Sequence, residues 1–295
     1  MFGEEINKIA ENAENKIRYM QSFPAGYLVL SALAGIYVGF GIILIFSIGG
    51  PIHAGAGPFL KLMMGASFGI ALSLVIFAGS ELFTGSNMIL VIGKLQEKVS
   101  MGLVMKSWLL CYLGNLLGSV LLAWLMVQGG SLVESSKLLI LKITSSKMNL
   151  EVGELFIRGI LCNWLVCLAV WLAVKMRSEA AKLIMIFWCL FAFVSSGFEH
   201  CVANMTLLSL GLLIPHSAEI SLTGFAHNLT WVTLGNIVGG ALFVGMAYWF
   251  TASKNLTMLS IVKNGNDEYS EIERIPQGEI DKVSEGIITS TIRGR

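Results

Sequence analysis

Between Phe23 and Gly50 the chain runs for 28 residues without one charged side chain. About 20 predominantly apolar residues suffice to cross the hydrocarbon of a bilayer as a helix. Five further runs of this kind follow: about Leu62 to Gly93, Ser107 to Val127, Leu155 to Val174, Leu183 to Pro215 and Asn228 to Thr251. The sequence therefore predicts an all-α membrane protein with six transmembrane helices. Composition agrees, since only 13 % of residues are charged where a soluble domain carries roughly 25 %. The net charge of +1 provides no basic excess for a nucleic-acid partner.

The segments outside the spans are distinct. Residues 1–22 contain four glutamates and lack the apolar core of a secretory signal. Ile6, Ile9, Ala10, Ala13, Ile17 and Met20 recur at helical spacing, which predicts an amphipathic helix lying on the membrane surface. Residues 252–295 mix acids and bases and read as a flexible, charged tail. Lys and Arg fall fifteen to four in favour of the side that carries both termini, so the positive-inside rule places both termini in the cytoplasm. The five cysteines lie in apolar runs without any metal-ligand spacing and read as core filling. No metal or cofactor is expected.

Two spans are interrupted. The second contains Gly79-Ser80-Glu81-Leu82-Phe83-Thr84-Gly85 and the fifth contains Ser195-Ser196-Gly197-Phe198-Glu199-His200. Gly79 to Met88 lies 117 positions before Ser196 to Met205, each stretch carrying a carboxylate and ending in Asn-Met. Leu113-Gly114-Asn115-Leu116-Leu117-Gly118 recurs 121 positions later as Leu234-Gly235-Asn236-Ile237-Val238-Gly239. Three spans per repeat is an odd number, so the second copy must be inverted relative to the first, with a broken middle helix in each.

Freed backbone is costly in a bilayer unless it lines a polar cavity or is held by protein. The two breaks should thus face each other near the midplane and flank a pathway. Glu81, Glu199 and His200 are the buried acidic or titratable side chains within the spans, and all three sit in the breaks, whereas Arg158 of span four lies near its end where it can snorkel to the interface. Glu81 and Glu199 read as caps of the half-helix starts. His200, beside glycine at a break, reads as a site residue able to offer a hydrogen bond or a proton. The glycine pairs Gly114/Gly118 and Gly235/Gly239 read as close helix contacts. An intramembrane enzyme using Glu199 and His200 as acid and base is the rival reading; no H-E-x-x-H, serine-nucleophile or phosphate-loop motif accompanies them.

These motifs, together with Gly159 to Trp171 of span four, resemble the formate/nitrite transporters, in particular the nitrite-channel branch, over about residues 1 to 251. The resemblance implies a homopentamer in the bacterial cytoplasmic membrane, each protomer an aquaporin-like bundle with its own anion pathway. It places the central histidine on His200 and the threonine of the broken helix on Thr84. The asparagine falls on Asn163, and the vestibule lysine on Lys147, sixteen positions before it. The apolar constriction falls on Leu82 and Phe193 with Phe68 beside them. Nitrite is the first expected substrate, formate the second and hydrosulfide the third. Burying a bare anion in low dielectric is prohibitive. The expected mechanism has Lys147 drawing the anion in, Thr84, Asn163 and His200 replacing its lost hydrogen bonds, and a proton shared with His200 letting it cross as the neutral acid.

Overall fold

The structure, a computed structural model, describes residues 2–55 and 59–252. It divides into a unit Glu4–Trp249, treated below, and a second unit of Met1–Gly3 with Phe250–Arg295. Apart from Ala252, the expected tail lies outside the described residues. Eleven helices and one π-helical stretch are present among the described residues, with no strand. Helix α1 spans Gly3–Ser22, α2 Pro24–Ala54, α3 Leu60–Ser67, α4 Ile70–Phe77, α5 Phe83–Leu95 and α6 Met101–Gln128. Then come α7 Glu134–Met148, α8 Val152–Lys175, α9 Glu179–Ser195, α10 Cys201–Leu213 and α11 Leu222–Val238, the last continuing into the π-helical Gly239–Met246.

Among the described residues, five stretches are long and apolar enough to cross a membrane: 24–54, 60–77, 101–128, 152–175 and 222–252. The remaining span is α9 with α10, divided at 196–200. The second span is broken where expected, between α4 and α5, and has an additional kink at Phe68 and Gly69 between α3 and α4. The link between spans three and four is not a plain loop, because it contains the 15-residue α7.

Helix α1 forms as its spacing predicts, but its apolar face does not await lipid. Ile6, Ile9, Ala10, Ala13, Ile17 and Met20 are all at most 4 % exposed, and a Cβ on Gly93 of α5 would touch the Ala13 methyl. The expectation of a helix resting on the membrane by this face is corrected: protein takes the place that lipid was expected to fill.

The two breaks are built alike. Gly79 (φ 74°) and Gly197 (φ 72°) adopt the left-handed conformation that ends α4 and α9 and that glycine alone takes without strain. Ser80 N–H bonds to Val75 O and Phe198 N–H to Phe193 O, the long-range closure of a Schellman turn. Leu82 and His200 follow in extended conformation and start α5 and α10. Asn115 on α6 and Asn236 on α11 then bracket the freed backbone. Asn115 accepts from Phe83 N–H and donates to the carbonyls of Glu81 and Ser31. Asn236 accepts from Cys201 N–H and donates to the carbonyls of Glu199 and Gly159. Glu81 N–H and Glu199 N–H find Leu30 O and Arg158 O.

This set of equivalences puts the breaks 118 positions apart, pairing Glu81 with Glu199 and Leu82 with His200. The 117-position register read from the shared Asn-Met is one residue off. Asn87 and Asn204 are not counterparts: Asn87 accepts from Asn163, whereas Asn204 donates to Glu199 and Asn228. The 121-position match of Asn115 and Asn236 holds. Their flanking glycines let helices meet at the backbone, since a Cβ on Gly118 would clash with Ala32 O and one on Gly239 with Ile160 O.

Asn115→Ala leaves a buried N–H and two carbonyls without their partner, and should destabilise the protein by about 1–3 kcal/mol. Gly102→Ala, with nothing within 4 Å of the added methyl, should be unchanged within about 0.5 kcal/mol. Thermal unfolding of the detergent-solubilised protein measures the difference.

Candidate functional site

Since each break ends in an extended residue aimed at the centre, the two repeats place one side chain each there: Leu82 from the first, His200 from the second. Around them the protein has an hourglass of cavities. One, of about 590 Å³, lies on the α1 side and is bordered by Lys16, Glu81, Leu82, Glu179 and Lys182. Another, of about 200 Å³, lies on the α7 side and is bordered by Lys61, Phe68, Lys147, Phe193, His200 and Asn204. Between them is a space of only about 10 Å³, enclosed by Leu72, Leu82, Phe68, Phe193, Leu190 and His200 among others. That is at the limit for a single water, so the pathway is closed and apolar at its waist.

The aromatic side of the waist is a stack. Phe68 meets Phe193 edge-on at 5.6 Å, and Phe193 lies nearly parallel to the His200 ring at 6.0 Å. The kink between α3 and α4 turns Phe68 into this position, with its ring 2 % exposed.

His200 has a defined hydrogen-bonding state. Its Nδ1 accepts from Ala203 N–H at 3.1 Å and thereby caps α10. A ring nitrogen that accepts carries no proton, so this contact assigns the proton of the neutral ring to Nε2. Nε2–H then donates to Thr84 Oγ1 at 3.0 Å. Thr84 and Asn163 are both fully buried and border none of the three cavities. Asn163 Nδ2 reaches Thr84 O, Asn87 Oδ1 and Asn236 O. It ties α8 to the start of α5 and the end of α11 and makes no described bond to His200. The expectation that Thr84 and Asn163 both present hydrogen bonds to a passing anion is thus corrected. Thr84 reaches the path through His200, and Asn163 through Thr84.

The expected caps are also reassigned. Neither carboxylate occupies an N-cap: those positions belong to Leu82, which makes no side-chain cap bond, and to His200. Glu81 instead takes Lys16 Nζ at 2.6 Å on both oxygens. Glu199, 2 % exposed, takes Lys147 Nζ at 2.6 Å on one oxygen and Asn204 Nδ2 at 2.6 Å on the other. Each lysine comes from the helix ahead of its repeat, α1 or α7. Lys16 is therefore the site residue that sequence reasoning passed over. The readable signal was a lysine in the segment preceding each three-span unit, 65 positions before Glu81 in the first and 52 before Glu199 in the second.

Two inverted units, each with a glycine-broken middle helix answered by an asparagine of the third span, are a family-level architecture. A family model described as formate/nitrite transporter matches residues 3–250. The chain belongs to this family. It is 47 % identical over 255 residues to the nitrite transporter NirC of Escherichia coli, covering 86 % of this chain and 94 % of the relative. The formate channel FocA of the same species is 33 % identical, with 82 % and 91 % covered. Among solved structures, an FNT family ion channel superposes with a TM-score of 0.81 at 46 % identity, covering 85 % of this chain and 99 % of that one. A pentameric formate channel with formate bound superposes with a TM-score of 0.69 at 32 % identity, covering 77 % and 96 %. The family is one of transporters and channels, so the intramembrane-enzyme reading of Glu199 and His200 falls away.

Lys147→Met would strand the buried Glu199 charge and should cost about 3–5 kcal/mol of stability. Adding Glu199→Gln to it should recover most of that loss. Thermal midpoints of the two variants beside wild type measure both steps.

Proposed function

We propose that this chain is a channel for a small monovalent anion of a weak acid, with nitrite the foremost substrate and His200 as the one polar group presented to the waist. The observation that carries the reading is the placement of that single N–H donor. It sits at a closed apolar centre between two cavities, each bordered by a lysine held by a carboxylate. The similarity to nitrite transporters at 46 and 47 % identity supports nitrite over formate. Formate is the second reading, supported by relatives named as formate channels at 33 and 34 % identity and by the formate-bound structural neighbour. Hydrosulfide stands third, on charge and size alone.

The waist, ringed by Leu82, Phe68 and Phe193, disfavours a bare anion by the cost of desolvation. The neutral acid passes instead, and Nε2–H of His200, given up by Thr84 Oγ1, replaces a water in its hydration shell. Because the neutral ring carries its proton on Nε2 only, handing that proton over would create a buried imidazolate beside Glu199. The proton therefore accompanies the substrate. A relay through the ring requires the Nδ1 cap to open first and take a proton of its own. Lys147 and Lys16 lower the cost of bringing the anion into its cavity, and Thr84 with Asn163 keeps the ring oriented.

The distribution of Lys and Arg supports both termini in the cytoplasm and the protein as a multi-pass component of the bacterial cytoplasmic membrane. By similarity to the pentameric neighbour, five such protomers assemble, each with its own path.

Nitrite uptake by proteoliposomes tests the reading. Wild-type vesicles should take up nitrite faster than empty ones, and His200→Ala should slow uptake about 10-fold or more, the value of a hydrogen bond to a charged or strongly polar partner. Uptake unchanged in rate and pH dependence in the variant contradicts the role given to His200.

A further inference from the structure

The lysines at the two vestibules are not equivalent in charge. On the α1 side, Lys16 is paired with Glu81 at 2.6 Å and Lys182 with Glu179 at 2.8 Å, and all four border that cavity. The α7-side cavity is bordered by Lys61 and Lys147 and by no carboxylate. Lys147 is committed to Glu199 at 2.6 Å. Lys61 is exposed and makes no ion pair among the described residues. In sequence it is the one Lys, Arg, Asp or Glu between Arg18 and Glu81, so its own span and the preceding one supply no acid to cancel it.

We infer that Lys61 is the anion-recruiting residue of the α7-side vestibule: an uncancelled positive charge at the lip of the cavity that ends on His200. This rests on the channel reading and refines it, moving the attraction of the anion from Lys147 to Lys61. The lysine is held at that lip by the backbone. Its carbonyl accepts from Ser195 Oγ at 3.4 Å, and a Cβ on Gly65, one turn further along α3, would meet the same hydroxyl. Helix α3 is thus packed on the end of α9, beside the break that carries His200. Lys147, deeper and already paired, presents a charge that its partner largely cancels at a distance. A single uncancelled charge at the mouth of a low-dielectric funnel raises the local anion concentration and the entry rate. Salt screens it, because the Debye length falls from about 30 Å at 0.01 M to about 3 Å at 1 M.

The experiment is nitrite uptake by proteoliposomes holding wild type, Lys61→Arg, Lys61→Gln or Lys61→Glu, at about 10 mM and about 500 mM ionic strength. At low ionic strength and subsaturating nitrite, Lys61→Arg should match wild type and Lys61→Gln should be about two- to fivefold slower, with Lys61→Glu slower still. Saturating rates should be alike, and the four proteins should converge at high salt. Equal rates at low salt, or a defect that high salt leaves in place, overturn the inference while wild-type uptake leaves the channel reading standing. Wild-type vesicles no faster than empty ones overturn the channel reading itself.

Discussion

In hydrocarbon every backbone N–H and C=O needs a partner from the protein itself, and this chain breaks a helix twice at that depth. The cost is met by one side chain per break. Asn115 and Asn236 each answer one N–H and two carbonyls, which fixes where α5 and α10 begin. The residue just ahead of each start is thereby held extended at the centre. Leucine in one copy and histidine in the other make the waist apolar on one side and hydrogen-bonding on the other. The glycines at 114, 118, 235 and 239 serve the same end, because only helices in backbone contact bring the asparagines within reach.

The carboxylates beside the breaks then need partners of their own. A charge buried as deeply as Glu199 is tolerated when paired and hydrogen-bonded, and α7 delivers Lys147 for that purpose while α1 delivers Lys16 to Glu81. Each repeat accordingly starts with a helix ahead of its three spans. Helix α1 buries its apolar face against protein, and both helices bring a lysine to a vestibule. The pathway is polar at both ends and nearly dry at the middle, a shape that separates attraction of an anion from its passage.

Much of this was legible because membrane constraints write themselves into composition. Long apolar runs marked the spans, glycine beside a mid-span carboxylate marked the breaks, and the repeated Leu-Gly segment with its asparagine marked the inverted symmetry. The failures have physical causes. The shared Asn-Met misled the register by one residue, because identical side chains at Asn87 and Asn204 serve different partners, whereas the backbone closures at Gly79 and Gly197 do not depend on side-chain identity. Helix α7 mixes polar and apolar residues without a clear stripe and so read as loop. Lys16 was hidden because its partner lies 65 positions away. Asn163 matched by motif but stands behind Thr84, a distinction that only packing reveals.

The proposed passage through the waist is that of a neutral acid. Simultaneous recording of nitrite uptake and internal pH in proteoliposomes, with the membrane potential set by a potassium gradient and ionophore, tests it directly. One proton should enter with each nitrite, and the rate should be the same at either sign of the potential. Uptake that follows the potential and leaves the internal pH unmoved would contradict it.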